Sequence, residues 1–377
     1  MKRKFWVQIF TSGLMFITAC GGGGDSGSSG STGTLSVNLT DASTTEYQAI
    51  YITIQQVAVH KDGGGGWDVI SSPNKTYNLL DLVNGVREEL ALATLTSGHY
   101  TQMRLILTDT PDNSINILSI KHPYGNYFID SSGQSIELKV PSGFQTGIKI
   151  VKGFDINANQ TTELILDFDA ARSIVKAGSS GQWLLKPTIK LLNTTEYSII
   201  SGNAGASGVL VSAQVYNSLA TLAEEKVEVK AATVSDGSGN YKLFLEPGSY
   251  TLVGYKDGFS PFYKNAKVVT TAGNTYTENF SLGSASSTGT LSSGTVSISG
   301  ADQEQYATIS IRQNATVNFN PEQIEVKKLN VANGGTIDTG LPVGSYTAVI
   351  STYGKTTIEQ LFAISSNLNT NTGNINF

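Results

Sequence analysis

The chain has one cysteine, three histidines, three methionines and three tryptophans in 377 residues, and only 15% of it is charged. With a single cysteine no disulfide can form within the chain, so its domains must stand on their hydrophobic cores. The net charge is −5, and the 25 lysines and arginines are scattered, with no basic run beyond the extreme N-terminus. That balance excludes the electrostatic footprint of a nucleic-acid binder. A zinc site needs three or four ligands, usually with a close pair; His60, His99 and His122 are far apart in sequence and have no second cysteine to help. No G-x-S-x-G elbow, H-E-x-x-H pair or P-loop is present, and none of the many Asp and Glu pairs sits in a glycosidase or protease context. These absences point away from an enzyme and from a cofactor. Long Leu/Ala/Glu/Lys windows are also scarce, and only Val86 to Leu95 (VREELALATL) has local helical character. Past the N-terminus no hydrophobic run is long enough to span a bilayer as a helix.

What is present begins with an address. Lys2, Arg3 and Lys4 precede a short, mainly apolar run from Phe5 to Thr18, then Ala19 and the lone Cys20. This is the layout of a secretory signal, residues 1–19, too short to be a spanning helix. Ile17-Thr18-Ala19-Cys20 resembles the bacterial lipobox. The resemblance implies that Cys20 is acylated, becomes the first residue of the mature protein and inserts lipid into a membrane. Gly21 in place of Asp after that cysteine implies the outer membrane of a Gram-negative bacterium, facing the periplasm or the exterior. The alternative is an ordinary signal peptide with an incidental cysteine, which leaves an odd thiol in an exported protein unexplained. Residues 20–32, Cys20 followed by GGGGDSGSSGST, form a Gly/Ser tether, with an r.m.s. reach of about 20 Å.

The remainder is rich in glycine, 40 residues, and in short Val/Ile/Thr/Tyr bursts, a composition for all-β modules with many turns. One phrase, Leu-x-x-Gly-x-Tyr-Thr, occurs three times, at Leu95–Thr101, Leu245–Thr251 and Leu341–Thr347, each time before an apolar strand-like run. It divides the chain into three expected β-sandwich modules of Ig-like or prealbumin-like type, at 33–193, 196–283 and 289–377. In the phrase the Leu ends one strand in the core, the Gly permits the turn, and the Tyr opens the next strand and ties its hydroxyl to nearby backbone as corner tyrosines do. His99, Ser249 and Ser345 share one position of the phrase, which reads as exposed and structural. Ile50, Ile52 and Ile54 alternate, but the apolar positions resume at Val57 and Val59, a step of three that predicts a β-bulge near Gln55-Gln56. Trp67, after a glycine loop, is expected to fill a core edge.

The segments GTLSVNLTDA (33–42), YITIQQVAVH (51–60), YNLLDLVNG (77–85), LTSGHYTQMRLIL (95–107) and LDFDAARSIV…LLKPTIKL (166–191) resemble the bacterial domain of unknown function 4382. That resemblance implies a secreted or lipidated setting and no assigned chemistry. DGSGNY (236–241), Leu245–Thr251 and Gly258-Phe259 resemble the carboxypeptidase regulatory-like domain, a prealbumin-like sandwich in which the last aromatic is buried. The third module is expected to be a degenerate copy of the second.

Two candidate sites remain. Asp167 and Asp169 lie two apart on a strand whose other face carries Leu164, Leu166 and Phe168; together they offer oxygen ligands to a hard cation, although Ca²⁺ wants about six or more. The competing expectation is a solvated strand face or a link to Arg172, and Asp41, Asp109 and Asp112 read as turn residues. Phe262 and Tyr263, in the loop GFSPFY, are candidates for a platform on which sugar rings stack. The sequence therefore reads as a non-catalytic envelope lipoprotein acting in adhesion, scaffolding or partner binding. Its expected partners are the membrane, through the lipid, and polysaccharide or envelope proteins, with no cofactor. The alternatives are a carbohydrate-binding surface protein using the second module and a hydrolase with an unrecognised carboxylate or metal site.

Overall fold

The computed structural model describes residues 30–41, 47–140, 147–176, 182–285, 287–300 and 306–377. Cys20 and the signal segment lie outside the described residues. The architecture is all-β, built as a row of sandwiches of two sheets each, with four and ten strands in the first, three and five in the second, and four and four in the third.

In the first sandwich, strand Thr32–Asp41 runs antiparallel to Glu88–Thr96 on one side and parallel to Thr161–Phe168 on the other, with Ile189–Asn193 completing that sheet. The facing sheet is built on the pair Ala49–Lys61 and Gly98–Leu107. Alternation explains the core: Leu35, Val37 and Leu39 meet Ile50, Ile52 and Ile54, with Met103, Leu105 and Leu107 beside them. The register of the central pair slips between Ile54 and Gln56, leaving Gln55 unpaired, so the expected bulge is present and returns Val57 and Val59 to the core. Two expectations fail in this module. Glu88–Thr96 is a strand, not a helix; pairing along the whole of Thr32–Asp41 overrides the local helical propensity of ELALA. Trp67 lies outside the core, against His60 (ring centroids 5.6 Å apart) and under the Arg104 guanidinium at 4.6 Å.

The second and third sandwiches repeat this topology. Ser198–Asn203 lies between antiparallel Asn240–Leu245 and parallel Thr275–Thr277. Thr288–Ser297 lies between antiparallel Thr336–Pro342 and parallel Asn369–Asn371. The facing sheets are ordered Val227–Val234, Leu210–Tyr216, Gly248–Tyr255, Phe262–Tyr263 and Asn320–Ala332, Tyr306–Val317, Gly344–Ser351, Ile358–Ile364. The third module thus has the strand order of the second.

The repeated phrase carries the chain from one sheet of each sandwich to the other. Tyr100, Tyr250 and Tyr346 are buried, and each donates its hydroxyl to a carbonyl four residues earlier: Thr96 at 3.0 Å, Glu246 at 2.6 Å and Pro342 at 2.8 Å. His99, Ser249 and Ser345 are exposed. The glycine does not serve one purpose throughout. Gly98 has a positive φ of 139°, whereas at Gly248 a Cβ would stand 2.7 Å from the Tyr250 hydroxyl, so there it makes room for the folded-back ring. A second repeated signal is Gly-Thr-Leu-Ser at 33–36 and 289–292. Gly33 and Gly289 pair with the phrase leucines Leu95 and Leu341, and a Cβ on either would stand 2.2 or 2.3 Å from a crossing backbone carbonyl. Only glycine allows that approach.

The sandwiches are not beads on a string: Ser31–Phe377 is one compact unit. Val253 and Tyr255 of the second contribute to the hydrophobic core of the third. Buried Arg312 of the third donates to the carbonyls of Ala223 (2.7 Å) and Glu224 (3.3 Å) in the second. In return, the Gln214 amide donates to Glu325 O (2.6 Å) and accepts from Glu325 N (2.8 Å). Gln214 and Arg312 hold equivalent positions. Each follows a bulge, after Ala213 and Ile311 respectively, and each lies opposite the threonine of its phrase, Thr251 or Thr347.

Candidate functional site

The strand Thr161–Phe168 explains why a site forms beside the first sandwich. Leu164, Leu166 and Phe168 point into its own core, and Ile165 points the other way, yet Ile165 is also fully buried, packed with Leu192 and with Phe244 of the second sandwich. Asp167 shares the outward face with Ile165 and is only 8% exposed. The polar face expected to be solvated is therefore an intermodule face.

Beyond Asp167 a cleft of about 620 Å³ opens between the first and second sandwiches. One wall is the edge strand Ile189–Asn193 with Lys149 to Lys152; the other holds Glu228, Lys230 and the phrase segment Leu245 to Tyr250. Lys190 lies directly across the strand pair from Asp167, but its ammonium turns to the carbonyls of Val229, at 3.3 Å, and Lys230. Asp167 accepts no hydrogen bond, and no cation comes within 4 Å of it among the described residues. Burial pushes its carboxyl up to about 7, against the attraction of Lys190. Burial likewise lowers the Lys190 ammonium, with Asp167 acting the other way. Closer to the mouth, Lys152 pairs with Glu246 at 2.5 Å and Lys230 with Glu228 at 2.6 Å. Lys149 is exposed and has no carboxylate partner among the described residues, and Val151 near it is 77% exposed.

Asp169 does not share this site. It caps the four-residue helix Ala170–Ser173 by accepting from Arg172 N at 3.1 Å. Its second oxygen pairs with Arg172 Nε at 3.2 Å, and Arg172 reaches on to Glu325 of the third sandwich at 3.3 Å. Burial raises the Asp169 carboxyl, and Arg172 opposes the shift. The expected link to Arg172 exists, while the two carboxylates of the cation hypothesis serve different module boundaries. Among the described residues no group of three or more His, Cys, Asp or Glu gathers as metal ligands.

The remaining candidates are dispersed. Phe262 and Tyr263 are adjacent on a strand paired with Gly248–Tyr255, so they face opposite sides of the sheet. The Phe262 ring stacks on Phe280, centroids 4.4 Å apart and nearly parallel, while Tyr263 packs on the core of the third sandwich. They form no common platform. Phe259, expected to be buried, is half-exposed beneath the Lys256 ammonium. Asp112 is a turn residue, accepting from Ser114 N at 2.8 Å and from Thr76 N at 2.9 Å. Asp41 is instead buried and accepts from Ala170 N at 3.0 Å. His99 pairs with Asp155 at 2.7 Å on the surface, and His122 is buried between Ser114 and Tyr127; the histidines do not converge. Sequence reasoning missed Lys190 and the cleft. The available signal was the unbroken apolar run Leu164-Ile165-Leu166, which marks a strand covered on both faces.

Residues 32–187 match the family model of a domain of unknown function, DUF4382. No curated protein matches the chain. Among solved structures, the Bacillus anthracis TIE protein aligns at 14% identity over 92% of this chain and 50% of its own, with a TM-score of 0.19. A leucine-rich repeat protein from Bacteroides thetaiotaomicron aligns at 16% identity over 48% of this chain and 26% of its own, TM-score 0.22. Shaft pilin SpaA from Lactobacillus rhamnosus GG aligns at 10% identity over 48% of this chain and 97% of its own, TM-score 0.18. The chain thus spans half or less of the first two structures it matches.

Proposed function

We propose that this protein is a non-catalytic lipoprotein of the cell envelope, held in the outer membrane by acylated Cys20, whose joined sandwiches form a rigid body for binding a partner or ligand. The observation that carries the reading is the N-terminal order of Lys2-Arg3-Lys4, an apolar run, Ala19 and the single Cys20, followed by a Gly/Ser tether. The described body supports it. The buried Asp169 and Arg312 and the half-buried Arg172 and Glu325 are engaged in holding sandwiches together. A hydrolase using Asp167 and Asp169 as a pair has no support in their separate surroundings, and sugar stacking on Phe262 and Tyr263 has none in theirs. Replacing Cys20 with Ser tests the anchor: the protein should move from the membrane fraction to the soluble fraction on cell fractionation. Unchanged membrane association of Cys20→Ser would overturn the proposal.

A further inference from the structure

We propose that the cleft between the first and second sandwiches binds an acidic saccharide, with Asp167 and Lys190 sharing one of its hydroxyl groups at the floor and Lys149 facing its acidic group at the mouth. This adds a ligand class to the binding role proposed above and does not depend on the lipid anchor.

The floor selects the chemistry. Asp167 is more than nine-tenths buried, lines the cleft and, among the described residues, accepts no hydrogen bond. Its oxygens are not among the buried side-chain atoms left without a partner, so the carboxylate is open to the cleft, where a donor on a bound molecule can reach it. Lys190 lines the same cleft and spends two of its three N–H groups on the carbonyls of Val229 and Lys230. Cross-strand neighbours stand about 5 Å apart at Cβ, yet the two head groups do not touch. One inserted group, a water in the empty cleft or a hydroxyl of a ligand that displaces it, can donate to Asp167 and accept from the last N–H of Lys190. A carboxylate cannot donate, and an ammonium cannot accept. A hydroxyl does both.

The mouth sets the charge. The pairs Lys152–Glu246 and Lys230–Glu228 neutralise one another, which leaves Lys149 as the uncompensated charge at the opening. It favours an acidic substituent on the ligand. Between floor and mouth the walls include Val151, Val215 and Pro247, apolar surface suited to the C–H faces of a sugar ring. A volume of about 620 Å³ lies within the range of small-ligand pockets, about 300–1,000 Å³.

The test is calorimetric titration of the purified protein with oligogalacturonate and alginate oligomers, alongside neutral galactose oligomers and poly-glutamate as controls. The wild-type protein should bind an acidic oligosaccharide in preference to both controls. Val151→Trp, which fills the mouth from an exposed position, should abolish binding, and Asp167→Asn should weaken it about tenfold, the loss of one charge-assisted hydrogen bond. Lys149→Ala should reduce the preference for acidic over neutral sugars. Far-ultraviolet circular dichroism should show each variant folded. Absence of binding to every acidic oligosaccharide overturns the proposal, as does binding unchanged in Val151→Trp. Equal affinity for poly-glutamate overturns the hydroxyl assignment. The Cys20→Ser form should bind as the wild type does, so a failed anchor and a failed ligand are read separately.

Discussion

Replacing Asp167 with Asn should make the protein more stable at alkaline pH and leave it unchanged in acid. The folded carboxyl is raised from 3.8 to about 7, chiefly by burial. Folding therefore retains a proton that the unfolded chain has lost throughout that interval. Stability linked to this group is fully present below pH 3.8, falls as pH rises, and is gone once pH passes through about 7. At about 1.4 kcal/mol per pH unit, the deficit reaches a ceiling of about 4 kcal/mol at pH 8. Asparagine carries no charge to bury and escapes it. The attraction of Lys190 is already contained in that raised value. The difference should be a few kcal/mol at pH 8, with about 4 kcal/mol as its upper bound. Asp169, shifted in the same direction, titrates in both proteins and cancels from the comparison to first order. Urea denaturation at pH 4 and pH 8, followed by tryptophan fluorescence, reads the difference directly. An Asn variant less stable than the wild type at pH 8 would refute the reasoning, because it would mean that the carboxylate has a favourable partner. A stabilised variant also makes its weaker ligand binding interpretable as chemistry and not as damage to the fold.

Three further outcomes follow from the packing. Tyr250→Phe removes one hydrogen bond to the Glu246 carbonyl and should cost about 1 kcal/mol; a thermal melt indistinguishable from wild type would deny the corner its role. Arg312→Ala strips two bonds from the Ala223 and Glu224 carbonyls and should cost about 3 kcal/mol. Calorimetry should then resolve a separate transition for the third sandwich, whereas one unsplit peak at an unchanged temperature would show that the interface holds without it. Phe262→Ala removes a ring stacked on Phe280 and should cost about 2 kcal/mol, with saccharide titrations unaltered; lost binding there would return the ligand to that strand.

The strands, the bulge and the three corner tyrosines were legible because each depends on local alternation or on contacts within a few residues. The bulge at Gln55 needs only the step from Ile54 to Val57, and the corner only a tyrosine four residues after its carbonyl. Glu88–Thr96 was misread because its neighbour in space, Thr32–Asp41, is remote in sequence. Asp167 does lie on the face opposite Leu166, whereas Asp169 falls past the end of the strand as the cap of a short helix; alternation says which residues share a face, never what covers it. What covers this one is contributed by Phe244 and Glu325, about 80 and 160 residues further on. The overlooked Gly-Thr-Leu-Ser pair is a signal of another kind. It marks where two backbones touch, and a four-residue match becomes informative only when its pairing with Leu95 and Leu341 is seen.

Repetition of one topology explains how the sandwiches join without long linkers. In the second and third copies the residue facing the phrase threonine adjoins a bulge in its pairing with the outer strand, and in the first the phrase threonine itself is the residue skipped by the register. In the first sandwich the phrase threonine, Thr101, meets His60, which is covered by Trp67 from the same module. In the second and third, the bulge positions hold Gln214 and Arg312, and each reaches backbone of the other module. A register shift beside the phrase threonine recurs in all three copies, and in the second and third the side chain standing there chooses the partner. The second and third sandwiches are thereby committed to one another through an exchanged pair of buried polar contacts and a shared core. The first meets the second along an edge strand, Ile189–Asn193, where Lys190 bonds only the backbone of its neighbour. That boundary closes on either side of the cleft, through the packing of Ile165 and Leu192 on Phe244 and through the Lys152–Glu246 pair, and between them Asp167 and Lys190 face an open space.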